Sequence, residues 1–138
     1  MTIILKIPQF RAEFSKEEGV FSLVLAAGGR QPERDWFVSL CRGRKVWAID
    51  SGIDLCRRTA ILPDLFIGDR DSATKEGILW AEENKIESIT FPPEKDLTDL
   101  QIALRETGLR APGTPAILTA AFGGRFDHLF SNIFSLVW

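Results

Sequence analysis

The sequence predicts an α/β fold: a three-layer domain built on a mainly parallel sheet. Three observations carry this. Short apolar runs rich in valine and isoleucine recur along the chain, amphipathic stretches of helical spacing separate them, and polar or glycine clusters follow directly on several of the runs.

Taken in order, residues 2–7 alternate loosely, and residues 1–19 read as an N-terminal extension or an added edge strand. Residues 20–26 form the first buried strand and open onto Ala27-Gly28-Gly29. A short helix is expected over 32–41, a second strand over 45–49 ending at Asp50-Ser51-Gly52, and a helix over 53–59. The third strand, 65–67, runs into Gly68-Asp69-Arg70-Asp71-Ser72, where Ser72 can cap the next helix, expected over 74–84. A fourth strand covers 86–91. Asp96 as N-cap then places Asp99 at the third helical position, and Leu100, Ala103, Leu104 and Thr107 stripe a helix that Gly108 stops. The fifth strand, 116–121, leads to Gly123-Gly124-Arg125-Phe126-Asp127-His128 and an apolar last helix from residue 126. The domain division is thus 1–19 and a Rossmann-like unit over 20–138. The abrupt apolar finish at Trp138, without glycine or a basic cap, suggests that a following domain is missing.

The totals exclude several function classes. Seventeen basic against nineteen acidic side chains leave a formal charge of -2, which gives no long-range attraction to nucleic acid or to an anionic membrane. The four tryptophans and ten phenylalanines do not alternate with basic residues as a base-stacking platform would. No apolar run approaches the length of a membrane span, and the start is too soon broken by Pro8 and charge for a secretory signal, so the default location is cytoplasmic. Cys41 and Cys56 are expected as buried free thiols. One histidine and two cysteines do not make a usual zinc site. Gly28-Gly29 is not a dinucleotide fingerprint, and no P-loop is present.

What remains is a set of carboxylates and glycines just past the strands. Asp69 and Asp71 are two apart, so in an extended stretch both face one way and can reach one cation; the alternative is a solvated turn capped by Asp71 or Ser72. Asp96 and Asp99 bracket a helix start, where capping alone accounts for them unless Asp99 turns inward to a metal. Gly123 and Gly124 remove Cβ atoms where backbone N–H groups can approach phosphate, and Arg125 offers a planar fork of donors; Asp127 and His128 are either a cap and a half-buried histidine or phosphate contacts. Hard oxygen donors of this kind suit Mg²⁺. In an open α/β sheet the carboxyl ends of the strands form the ligand crevice, and Asp50, Asp69, Asp96 and Gly123 all lie there. No serine or cysteine stands beside a separate base, which argues against a covalent intermediate. The reading from residues is a magnesium-dependent enzyme that handles a nucleotide polyphosphate.

Ala48-Ile49-Asp50-Ser51-Gly52, the run from Leu62 to Ser72, Lys95-Asp96-Leu97-Thr98-Asp99, and Gly123 to His128 with Asn132 downstream together resemble the N-terminal catalytic domain of thiamin pyrophosphokinase, from about residue 20 to the end. The resemblance implies Mg²⁺-dependent transfer of pyrophosphate from ATP to thiamin, giving thiamin diphosphate and AMP. It implies metal-site roles for Asp69, Asp71, Asp96 and Asp99, with Asp71, Asp99 and Arg125 as catalytic candidates. Nucleotide contacts are implied for Asp50, Gly68, Gly123, Gly124, Arg125, Asp127 and His128. It also implies a homodimer, and a β-rich second domain that this chain does not carry, so the acceptor half of the site is expected to be incomplete. Two local departures accompany it: Ser51-Gly52 stands where two glycines are usual, and Arg70 replaces an aromatic or small residue. A related enzyme with another alcohol acceptor, such as a pterin, and a non-catalytic nucleotide-binding or assembly domain are the alternatives.

Overall fold

The computed structural model describes residues 2–15, 21–68, 70–92, 97–123, 134 and 136. Five strands form one parallel sheet: β3 (Leu23–Ala26), β4 (Lys45–Ile49), β5 (Leu65–Gly68), β6 (Ser88–Thr90) and β7 (Ala116–Thr119), in the order β6-β5-β4-β3-β7. Helices α1 (Arg34–Cys41), α2 (Gly52–Thr59), α3 (Lys75–Glu83) and α4 (Asp99–Arg110) connect them.

The alternation of side chains along the strands explains the layers. Val24, Ala26, Val46, Ala48 and Phe66 pack with Phe37 and Leu40 of α1, Ile53, Leu55 and Cys56 of α2 and Ala81 of α3. Leu23, Leu25, Trp47, Ile49, Leu65 and Ile67 pack on the opposite face with Leu100, Ile102 and Ala103 of α4. Strands β3, β5 and most of β4 are therefore buried on both faces, which is why they read as continuous apolar runs instead of alternating ones. The three-layer α/β expectation holds.

Cys41 and Cys56 are free and buried in the first of these layers. Burial pushes the Cys41 thiol up to about 12, and Cys56 is pushed up as well, by burial first and by its neighbour Cys41 second.

Several local expectations are corrected. β1 (Thr2–Ile7) and β2 (Phe10–Ser15) pair with each other, antiparallel, as a separate two-stranded sheet, so the edge-strand alternative does not describe residues 2–7. Leu5 is buried, Ile7 packs on the α1–α3 layer, and Arg44 ties the hairpin down by donating to Lys6 O (3.2 Å) as well as to Phe21 O (2.9 Å). Thr74, not Ser72, caps α3: its hydroxyl accepts the Gly77 N–H at 3.0 Å. Thr98, not Asp96, caps α4. Its Oγ1 accepts the Gln101 N–H (3.2 Å) while Gln101 Oε1 accepts the Thr98 N–H (2.9 Å), a reciprocal capping box that satisfies two otherwise orphaned donors. Asp99 is consequently the first residue of the helix, not the third. Gly108 does not stop α4, which continues to Arg110; there the guanidinium meets Glu106 (3.0 Å) and Glu87 (2.7 Å). The last helix expected from residue 126 lies outside the described residues except at Phe134, which is helical, and Leu136, which lies in a turn.

Candidate functional site

Because every pair in the five-stranded sheet is parallel, all five carboxyl ends face one edge. Gly68 is the last residue of β5, Asp50 follows β4 directly, Asp71 lies three residues past β5, Asp99 opens α4 after β6, and Gly123 lies four residues past β7. The chain steps from β3 out to β6 and then returns to place β7 on the other side of β3. That reversal is the topological switch point, where α/β sheets bind ligands.

Close backbone approach is built into this edge. Gly52 lets the first turn of α2 lie against the end of β3, since a Cβ there would overlap Ala26 O. Gly28 sits under Ser51, whose hydroxyl donates to Gly28 O at 3.2 Å. Gly29 donates to Ala120 O (2.6 Å) and Arg30 to Phe122 O (2.8 Å), so the turns after β3 and β7 are zipped together. Gly123, at φ 86, turns back against Arg30, whose Cβ lies 2.6 Å from where its own would be. Asp50 donates its N–H to Ile67 O at 2.7 Å, and its Cα lies 3.3 Å from where a Cβ on Gly68 would stand.

Asp50, Arg70 and Ala120 all have positive φ (56, 72 and 54), each just past a strand end. Residues other than glycine seldom adopt this conformation, and it concentrates at functional turns. The same geometry corrects one expectation. β5 ends at Gly68 and Arg70 reverses the chain, so the period-two alternation invoked for Asp69 and Asp71 does not extend to Asp71, which lies exposed in a bend. Arg70 reaches α3 instead, where its Nη1 lies 2.8 Å from Glu82 Oε1.

Of the residues expected to matter, Asp50, Gly68, Asp71, Asp99 and Gly123 are brought to one edge of the sheet. Asp69, Asp96, Gly124, Arg125, Asp127, His128 and Asn132 lie outside the described residues. Among the described residues no three His, Cys, Asp or Glu side chains form a ready-made metal cluster. Mg²⁺ does not require one, since it commonly takes one or two carboxylates and fills its shell with water and substrate phosphate. The carboxylates of Asp50, Asp71 and Asp99 are hard oxygen donors of that kind, so the donor set fits.

Sequence reasoning missed Arg30 and the cavity beside it. An open cavity of about 520 Å³ lies at the switch point, lined among others by Arg30, Gln31, Trp36, Thr119 and Phe122. The signal was present in Gly28-Gly29-Arg30, a glycine turn after the first strand of the parallel sheet followed by a cation.

This is the plan of a parallel α/β domain that gathers carboxylates and glycine turns at the carboxyl edge of its sheet. The family model described as thiamin pyrophosphokinase, catalytic domain, matches residues 40–138, and the chain belongs to the thiamin pyrophosphokinase family. Among solved structures it is similar to a thiamin pyrophosphokinase family protein from Enterococcus faecalis, at 30% identity and a TM-score of 0.68, over 83% of this chain and 54% of that one. It is similar to thiamin pyrophosphokinase from Geobacillus thermodenitrificans at 26% identity and a TM-score of 0.66, over 83% and 54%. The Candida albicans enzyme shares the fold, at 14% identity and a TM-score of 0.64, over 99% of this chain and 62% of that one. The chain thus spans about half the length of the first two. No curated protein matches.

Proposed function

We propose that this chain carries the nucleotide side of a thiamin pyrophosphokinase, which transfers the terminal diphosphate of ATP to the hydroxyethyl oxygen of thiamin and gives thiamin diphosphate and AMP. The observation that carries the reading is the meeting of Asp50, Asp71, Asp99 and Gly123, from four separate segments, on one edge of the sheet in a chain that matches the family's catalytic domain.

In this reaction the alcohol oxygen attacks the β-phosphorus. The bond from that phosphorus to the oxygen bridging it to the α-phosphorus breaks, AMP departs with that oxygen, and the alcohol proton goes to a base or water. Little covalent chemistry is asked of the protein, so positioning and charge stabilisation dominate. Asp71 and Asp99, with Asp69 and Asp96, are the residues that would hold Mg²⁺, and Asp71 or Asp99 would take the alcohol proton, directly or through water. Bound Mg²⁺ would offset the negative charge of the polyphosphate. Gly68 and Asp50 line the approach. On the same reading Gly123, Gly124, Arg125, Asp127 and His128 would contact the nucleotide, the glycines through backbone N–H groups.

Residues 20–138 then form the catalytic unit and 1–19 an extension to it. The protein works in the cytoplasm as a homodimer, with ATP and thiamin as its partners and neither nucleic acid nor membrane. The test is AMP formation from Mg-ATP by the full-length protein, with thiamin and with a pterin alcohol as acceptor. Thiamin-dependent AMP is expected; release equal in both cases, or in neither, contradicts the assignment.

A further inference from the structure

We propose that Asp54, a residue of α2 outside the site, is a positioning residue that sets the Asp71 loop for its cation; this rests on the metal-nucleotide reading above. Asp54 lies in the first turn of α2, two residues after Gly52 and four after Asp50. Its carboxylate reaches across to the far end of the loop that follows β5. Oδ2 accepts the Thr74 N–H at 2.9 Å, and Oδ1 accepts the Thr74 hydroxyl. The same hydroxyl oxygen accepts the Gly77 N–H, so one threonine caps α3 and is itself held by α2.

The contact is shaped to exclude alternatives. A Cβ on Gly77 would overlap Asp54 Oδ1 and stand 3.1 Å from its Cγ, so only glycine lets α3 come this close. At its other end the loop is pinned by Arg70, at φ 72, to Glu82 of α3. Asp71 therefore stands on the five-residue span from Arg70 to Thr74, tethered at both ends. Through Asp54 that span is joined to the helix that begins at the Asp50 turn, so two carboxylate segments of the candidate site are tied together. A pair of hydrogen bonds to an ionised carboxylate is stronger than a neutral pair and suits this duty. Residues that orient metal-binding groups from outside typically alter metal affinity by about ten-fold or more when removed.

The experiment has two arms on the same variants: Asp54→Ala, Thr74→Val and Thr74→Ser. The first arm is amide hydrogen exchange of the nucleotide-free protein. Exchange at residues 70–74 should rise about ten-fold in Asp54→Ala, while amides of β3 and β4 keep their protection. The second arm is the Mg²⁺ concentration that half-saturates binding at saturating ATP, read by calorimetry. It should rise about ten-fold in Asp54→Ala, with affinity for ATP in EDTA unchanged. Thr74→Val should follow Asp54→Ala, and Thr74→Ser, which keeps the hydroxyl, should follow wild type. If Asp54→Ala does not fold, the two Thr74 variants carry both arms. Unchanged exchange at 70–74 overturns the proposal. So does faster exchange with an unchanged Mg²⁺ midpoint, which would leave Asp54 a merely structural tether. A wild-type protein whose ATP binding ignores Mg²⁺ instead overturns the metal-nucleotide reading on which the proposal stands.

Discussion

Two helical glycines should respond to alanine with opposite signs. Gly52 opens α2 and is buried; a Cβ there would overlap Ala26 O, with Ala26 C at 2.8 Å and Ala27 O at 3.1 Å. All three atoms are backbone at the end of β3, a strand paired on both sides, so no side chain can swing away. Overpacking in a core typically costs 1–3 kcal/mol, and a clash with fixed backbone belongs at or above the top of that range, about 3 kcal/mol. Gly108 lies inside α4, where a Cβ would meet nothing within 4 Å. Replacing glycine by alanine in an open helix interior gains roughly 0.5–1 kcal/mol from propensity and from the entropy of the unfolded chain. The two variants should therefore differ by about 4 kcal/mol. At roughly 3–5 °C per kcal/mol for a chain of this size, that is about 12–20 °C in Tm. Urea and thermal unfolding of Gly52→Ala and Gly108→Ala beside wild type give the answer. Gly52→Ala as stable as wild type would mean that α2 does not sit on β3 as described. A destabilised Gly108→Ala would mean that α4 ends near 108 after all.

Other outcomes follow from the same structure. Asp71→Asn should leave the unfolding free energy within about 0.5 kcal/mol of wild type, since the side chain is exposed, yet weaken Mg²⁺-dependent ATP binding by about ten-fold or more; unaltered Mg²⁺ dependence in calorimetry removes Asp71 from the ligand set. The thiols of Cys41 and Cys56 have folded-state values raised above their ordinary 9.0, so burial stabilises the protonated form. Their contribution to stability is complete below about pH 9 and is lost as pH rises toward the folded value, about 12 for Cys41. Thiol reagents should thus react slowly at neutral pH, and the urea midpoint should fall above about pH 9, less steeply in a Cys41→Ala, Cys56→Ala double variant. Glu33 caps α1 by accepting the Asp35 (3.0 Å) and Trp36 (2.9 Å) N–H groups, which hold its carboxyl below its ordinary 4.5. Its stabilisation is present above pH 4.5 and is lost as pH falls through the lowered folded value, so Glu33→Gln should flatten the acid limb of the stability curve.

The layers were legible because burial on both faces leaves a plain mark. Residues 46–49 and 65–67 are apolar throughout, as central strands between two helix layers need to be. The edge that bears the site was legible for a related reason: aspartates and glycines recur just past those runs, and parallel pairing sends every such position to the same side.

What the sequence hid are choices between near-equal local options, each settled by a particular side-chain partner. Asp96 and Thr98 are both good caps, and the Gln101 side chain decides for Thr98 by closing the box. Ser72 and Thr74 are likewise both good caps, and Asp54, twenty positions away, decides for Thr74. Gly108 looks like a stop, but Arg110 holds the turn beyond it to Glu106 and Glu87. Arg70 departs from the family pattern in sequence; its φ of 72 and its pairing with Glu82 make it one end of the loop that presents Asp71. None of these partners is marked by periodicity or composition.

On the proposed reading the carboxyl edge of this sheet binds a nucleotide polyphosphate through a divalent cation. Calorimetric titration of ATP into the protein, once in millimolar Mg²⁺ and once in excess EDTA, tests it most directly. Clustered aspartates repel a polyphosphate unless a cation stands between them. Saturable binding in Mg²⁺ that weakens by about ten-fold or more in EDTA is the expected result. Equal affinity in the two buffers, or no binding in either, would rule out a cation-bridged polyphosphate site.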